Sequence, residues 1–79
     1  MGSGLKFRYI VVDPEVCHGK PVFRGTRILV SDILELLSAG KSVDEILEEY
    51  PSLTEEMVRE ALAYASAVLR RISVIEIHT

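Results

Sequence analysis

Two groups of residues have types and spacing that could do chemistry. The first is the adjacent pair Cys17 and His18, a thiol beside an imidazole. Both side chains ligate metals and both take part in covalent catalysis. Adjacent ligands need distant partners to close a metal site, and His78 is the only other histidine. The pair therefore reads as a half-buried thiol next to a surface imidazole. The second group is Gly19-Lys20-Pro21-Val22-Phe23-Arg24-Gly25-Thr26-Arg27, where glycine, proline and cations interleave. Lys20, Arg24 and Arg27 could meet phosphate. Alternatively they are solvated, or pair with Asp13, Glu15 or a partner's acids. The segment is not a phosphate-binding P-loop, because the paired glycines and the following Ser/Thr are missing. No nucleophile and base stand at a recognisable spacing, so the expectation is no enzyme and no cofactor.

The elements around this junction follow from pattern. Phe7–Asp13 is β-branched and aromatic and ends at Asp-Pro, which predicts a strand. Val22-Phe23 is either a second short strand or part of a turn with Pro21 at its first central position. A first helix is predicted from about Val30 or Ser31 to Ser38, with Gly40 as its left-handed stop. Ser42 and Glu45 spell a capping box that opens a second helix through Tyr50, and Pro51 ends it. Thr54 is a good N-cap for a third helix, with Glu55 and Glu56 in its first turn and Arg70 and Arg71 in its last. Leu53 and Val58 suit a hydrophobic staple across that cap. The apolar repeat Val58, Ala61, Leu62, Ala65, Val68, Leu69 and Ile72 makes this the longest element. The expected core includes Leu34, Leu37, Ile46, Leu47, Val58, Leu62, Ala65 and Leu69. Ser73–Thr79 alternates and reads as a terminal strand that needs a partner, the obvious one being Phe7–Asp13.

Seventy-nine residues make one domain, and a chain this short buries only about 60% of its unfolded surface. Small domains compensate with disulfides, metal or oligomerisation. One cysteine excludes an internal disulfide, and 48% apolar content favours oligomerisation, most simply a two-fold dimer. Phe7, Tyr9, Ile10, Val11, Val12, Val74, Ile75 and Ile77 are the expected oligomer interface. Residues 1–4, Met-Gly-Ser-Gly, read as an added leader, 7–28 as a β arm and glycine-bracketed junction, 30–72 as a three-helix body and 73–79 as the terminal strand. No apolar run approaches the length of a membrane span. A single thiol fits a reducing cytoplasm.

Net charge is −3 but uneven. Residues 1–40 hold five cations and four anions, and residues 41–79 hold four cations and eight anions. Any nucleic-acid footprint is therefore local to the arm and junction. The second and third helices have helix-turn-helix proportions, in which the N-terminal residues of the second helix of the pair enter the major groove. Here those are Thr54, Glu55, Glu56, Arg59 and Glu60, three of them acids. Glutamates accept from cytosine but repel phosphates, so a solvated acidic face is the competing reading.

The motifs, in this order and spacing, resemble those of the domain of unknown function 433. They are Asp13 to Arg27, then Ala39-Gly40-Lys41-Ser42, then Glu48-Glu49-Tyr50-Pro51-Ser52-Leu53-Thr54, then Ala61-Leu62-Ala63-Tyr64-Ala65, within residues 9–69. Leu29 stands where the family usually has proline, and Phe23 where it usually has an aliphatic residue. The resemblance implies a mainly α fold, with a homeodomain-like helix-turn-helix body. It also implies a cytoplasmic dimer like the VapB-type antitoxins of toxin–antitoxin operons, which blocks a PIN-like ribonuclease toxin and represses its own operon. The expected DNA-contacting residues are Lys20, Arg24, Arg27, Thr54 and Arg59. The alternative is a protein-interaction or self-assembly module, natural or engineered, that binds no nucleic acid.

Overall fold

A computed structural model describes residues 7–71. It is mainly helical, with a short antiparallel hairpin at its N-terminal side. Strand β1 is Ile10–Val11 and strand β2 is Val22–Phe23, paired Ile10 to Phe23 and Val11 to Val22. Helices α1 (Val30–Ser38), α2 (Val43–Glu49) and α3 (Glu55–Arg71) follow. The predicted first strand is thus cut to two residues. A short partner limits it: Pro21 cannot donate to a ladder, and Gly25 turns the chain away two residues after Phe23. The expected terminal strand lies outside the described residues.

The helix ends follow the side chains that satisfy them. At α2 the Ser42 hydroxyl accepts the Glu45 N–H at 3.1 Å, and Glu45 Oε1 accepts the Ser42 N–H at 2.9 Å. At α3 the Thr54 hydroxyl accepts the Met57 N–H at 3.2 Å, and Leu53 and Val58 are both buried beside the cap. Helix α1 ends in a Schellman motif: Lys41 N–H donates to Leu36 O and Gly40 N–H to Leu37 O, both at 3.0 Å, with Gly40 at φ +98°. Helix α2 stops at Glu49, one residue short of the predicted end, and Tyr50 takes the cap position.

The capping box has a measurable pH signature. The Ser42 N–H and then its hydroxyl, helped by Lys41, hold the Glu45 carboxyl below its ordinary value of 4.5. A carboxylate whose folded value is lowered adds stability that is fully present above the unfolded value and lost as pH falls through the folded one. Glu45→Ala, which removes the carboxylate that accepts the Ser42 N–H, should therefore lower the unfolding midpoint near neutrality. The gap to wild type should shrink once pH drops below about 4. A gap that stays constant down to about pH 3 would sink this account.

The core sits where β2 meets the helices. Its buried members are Ile10, Val22, Phe23, Val30, Ile33, Ile46, Leu53, Met57, Val58 and Ala61. Of the core expected from sequence, Ile46 and Val58 are buried, while Leu34, Leu37 and Leu47 pack partly exposed against its edge. Leu62 and Leu69 are corrections: they are 51% and 67% exposed. Helix α3 turns the Met57–Val58–Ala61 side inward, so its leucines fall outside the contact with its own chain. Among the described residues, no helix is long and apolar enough to cross a membrane.

Candidate nucleic-acid interface

The basic junction is a tight turn hung from the core by Phe23. Phe23 N–H donates to Ile28 O at 3.1 Å, and Phe23 O accepts the Thr26 N–H at 2.9 Å and the Thr26 hydroxyl at 2.7 Å. The Thr26 hydroxyl oxygen also accepts the Ile28 N–H at 3.0 Å. Gly25 takes φ +78° at the third position of this turn, where a type II turn needs glycine. The side chains on either side of the glycine, Arg24 and Arg27, are exposed. Buried apolar anchoring and a hydroxyl staple thus fix a loop that carries two guanidinium groups.

Arg24 does not stand alone. Its N–H donates to Tyr9 O at 2.6 Å, which continues the β1–β2 ladder, and its Nε donates to Arg8 O at 2.8 Å. The Arg8 guanidinium lies 5.5 Å from the centre of the Tyr9 ring, close enough for a cation–π contact. The hairpin therefore gathers Arg8 and Arg24 on one edge, with Arg27 past the turn. Arg8 was missed in the sequence reading. Its signal was available in the strand pattern, since an exposed cation sits between the inward-facing Phe7 and Tyr9.

The other candidates are placed differently. Lys20 borders a shallow groove with Asp32 and Glu35 of α1, whereas Arg27 borders a second one with Asp13 and Val16. Thr54 spends its hydroxyl oxygen on the α3 cap. Arg59 pairs with Glu55 at 3.2 Å, and both are well exposed. Among the described residues the other ion pair is Lys41 with Glu49 at 3.5 Å. The acids at the start of α3 also have internal partners. Glu60 Oε2 accepts the Tyr9 N–H at 2.7 Å and Glu56 Oε1 accepts the Tyr9 hydroxyl at 3.2 Å. Two of the three glutamates that a groove-reading helix would present instead clasp Tyr9, just before β1, to α3.

The residues expected to form an oligomer interface are partly used within the chain. Phe7 packs edge-on against Tyr64 with ring centres 5.3 Å apart, Ile10 is buried, and Tyr9 is held by the clasp. Val11 is half-buried and Val12 is exposed. Val74, Ile75 and Ile77 lie outside the described residues.

Cys17, His18 and Gly19 take φ of +50°, +58° and +80°, three left-handed residues in succession. The turn is closed by Gly19 N–H to Val16 O at 3.0 Å and Lys20 N–H to Cys17 O at 3.1 Å. The Cys17 thiol points to Arg27 O at 3.8 Å and so touches the junction from behind, while the His18 imidazole is exposed. A side chain costs about 1–2 kcal/mol in the left-handed region. His18→Gly should therefore stabilise the protein by up to about 1 kcal/mol in urea unfolding. A lower midpoint would mean that the imidazole makes a stabilising contact. Among the described residues, no three His, Cys, Asp or Glu side chains converge as metal ligands.

The family described as Protein of unknown function (DUF433) matches residues 10–65. "Uncharacterized protein y4eO" of Sinorhizobium fredii (strain NBRC 101917 / NGR234) is 43% identical over 58 residues, covering 73% of this chain and 26% of that protein. "Putative antitoxin VapB45" of Mycobacterium tuberculosis (strain ATCC 25618 / H37Rv) is 36% identical over 53 residues, covering 67% of this chain and 22% of that protein. The chain thus spans about a quarter of the length of these curated relatives. The crystal structure of a DUF433 member from Anabaena variabilis ATCC 29413 superposes with a TM-score of 0.72 at 32% identity, over 78% of this chain and 61% of that one. The family match runs from β1 into α3 and takes in every element that positions the junction, so the chain belongs to the DUF433 family.

Proposed function

We propose that this chain is an antitoxin-like regulator that binds a toxin protein and meets operator DNA through its basic hairpin. The observation that carries the reading is the exposed pair Arg24 and Arg27 on a turn fixed by Phe23 and Thr26. A turn whose backbone is already fixed loses little freedom on meeting phosphate, and each guanidinium can engage phosphate with two hydrogen bonds. The relative named as an antitoxin supports the regulatory class. A PIN-like ribonuclease is the toxin class that the family resemblance implies. Helices α2 and α3 have helix-turn-helix proportions, with α3 as the second of the pair.

A second reading has its own observation. The first turns of α3 carry Glu55, Glu56 and Glu60, and a groove-reading helix with that charge repels the DNA backbone. In this alternative the chain is a protein-interaction module, and α3 serves only to hold β1.

The deciding experiment is fluorescence anisotropy of the full chain with DNA from upstream of its coding region, across a series of salt concentrations. Three phosphate contacts from Lys20, Arg24 and Arg27 should give a log–log salt slope near −2.7, at about −0.9 per contact. A chain that shows no binding even at low salt moves the function to the protein-interaction reading. Co-expression with a neighbouring PIN-like ribonuclease then tests the toxin arm. Recovery of a stable complex, with growth restored, is the expected result.

A further inference from the structure

The Tyr9 N–H and the Arg8 carbonyl belong to one planar peptide group. The bond is trans, so the two point in opposite directions. Both ends of this group are held by charged side chains. On one side Glu60 Oε2 accepts the N–H at 2.7 Å, in a half-buried contact. On the other side Arg24 Nε donates to the carbonyl oxygen at 2.8 Å. A carboxylate of α3 and a guanidinium of the basic turn are thus joined through a single peptide. Among the described residues the two make no direct ion pair with each other. A carboxylate on the N–H makes the carbonyl oxygen of the same peptide more negative and a better acceptor. Hydrogen bonds chained in this way strengthen one another by about 10–30% per bond. Neighbouring contacts hold the peptide in place: Tyr9 O accepts the Arg24 N–H at 2.6 Å, and the Tyr9 hydroxyl donates to Glu56 Oε1 at 3.2 Å.

We infer that Glu60 is a positioning residue for Arg24, acting through the Arg8–Tyr9 peptide, and that it sets which edge of the guanidinium meets phosphate. The inference rests on the reading of the hairpin as the DNA-contacting surface. A guanidinium carries five N–H donors in a fixed fork. With Nε spent on Arg8 O, the side-on edge of Arg24 is closed to a two-oxygen ligand. The end-on edge, formed by the two Nη atoms, is left for phosphate. The Arg24 side chain is otherwise exposed, and a guanidinium already held at Nε loses less rotamer freedom on binding. Glu60 therefore favours the DNA contact although it is an acid. Simple repulsion predicts the reverse, because removing a negative charge beside a phosphate-binding arginine should tighten DNA binding. The sign of the effect separates positioning from repulsion.

The test uses Glu60→Ala and Glu60→Gln in the full chain, with two readouts. The first needs no DNA and follows the Arg24 Nε–H resonance in a proton–nitrogen correlation spectrum. In the wild-type chain it should stand apart from the other arginines and exchange slowly with water. Glu60→Ala should merge it with them, and Glu60→Gln should leave it between, since a neutral acceptor makes a bond roughly half as strong. The second readout is anisotropy with duplex DNA from upstream of the coding region. Glu60→Ala should weaken binding about fivefold or more at low salt, the low end of coupling between linked groups. It should also move the salt slope from about −2.7 towards about −1.8, the value for two phosphate contacts. In an Arg24→Ala background the same change should no longer weaken binding, whereas a general loss of structure would still do so. If Glu60→Ala unfolds, Glu60→Gln carries both readouts. Tighter binding on loss of the charge overturns the inference, as does an Arg24 resonance indifferent to residue 60. Equal weakening with and without Arg24 also overturns it and leaves Glu60 a structural clasp alone. A wild-type chain that binds no DNA sinks the functional reading instead, and the resonance then decides the positioning role by itself.

Discussion

Phe23→Ala should remove a large share of the protein's stability. Phe23 is fully buried at the centre of the core. Removing a buried phenylalanine ring costs about 3–5 kcal/mol, the sum of lost transfer energy and residual cavity. A domain of this size holds a total of roughly 4–12 kcal/mol, at 0.05–0.15 kcal/mol per residue. The loss therefore matches the whole stability at the low end of that range and remains a quarter or more of it at the high end. The backbone at Phe23 also carries the three hydrogen bonds that shape the basic turn, so loss of the ring releases that turn as well as the core. Urea unfolding followed by circular dichroism, with amide chemical-shift dispersion beside it, reads the effect. A variant that keeps a cooperative transition within about 1 kcal/mol of wild type would show that the ring is not the keystone of this core.

The second large effect is on binding. Reversing Arg24 and Arg27 to glutamate should abolish measurable DNA association at moderate salt and flatten the residual salt slope to about −0.9, the value for one remaining phosphate contact. Arg24 also donates to Arg8 O, so part of any change could be structural. The unfolding midpoint of the double variant controls for that. Arg24→Lys with Arg27→Lys keeps the charge and should retain much of the salt slope while losing bidentate geometry. Unchanged affinity in the glutamate variant would remove the hairpin from the binding account altogether. Weakened binding with an unchanged slope would do the same, because phosphate contacts act through released counterions.

Much of the fold was legible where the signal is local. The Ser42–Glu45 box, the Thr54 cap, Gly40 as a stop and Arg70-Arg71 at a helix end each concern residues within a turn of one another, and the structure bears them out. The rotation of α3 was less legible. Its apolar stripe is broad, and Val58 lies on the same face as Leu62 and Leu69; the edge turned inward runs through Met57 and Ala61, while the other edge, with Leu62 and Leu69, is exposed. Only the neighbouring helices and β2 decide between them. The junction was visible as composition, but what holds it was not. Full burial of Phe23 depends on the helices that share its core, and the clasp from Glu60 to the Tyr9 N–H joins residues 51 apart in sequence. No periodicity encodes such a pairing. Arg8 was overlooked for the same reason, since its place beside Arg24 exists only once the hairpin registers.

That clasp also sets an order of events during synthesis. Tyr9, which immediately precedes β1, emerges from the ribosome well before the helix that carries Glu56 and Glu60, the last described element. Local helical turns form in about a microsecond, whereas a contact across 51 residues waits for the chain to be made and closed. A chain stalled before α3 holds its arginines on an arm with nothing to seat it. Seating of the basic hairpin is therefore a late folding event, reached only when α3 is in place. Truncated or freshly degraded copies of this protein should be silent at that surface rather than weakly active.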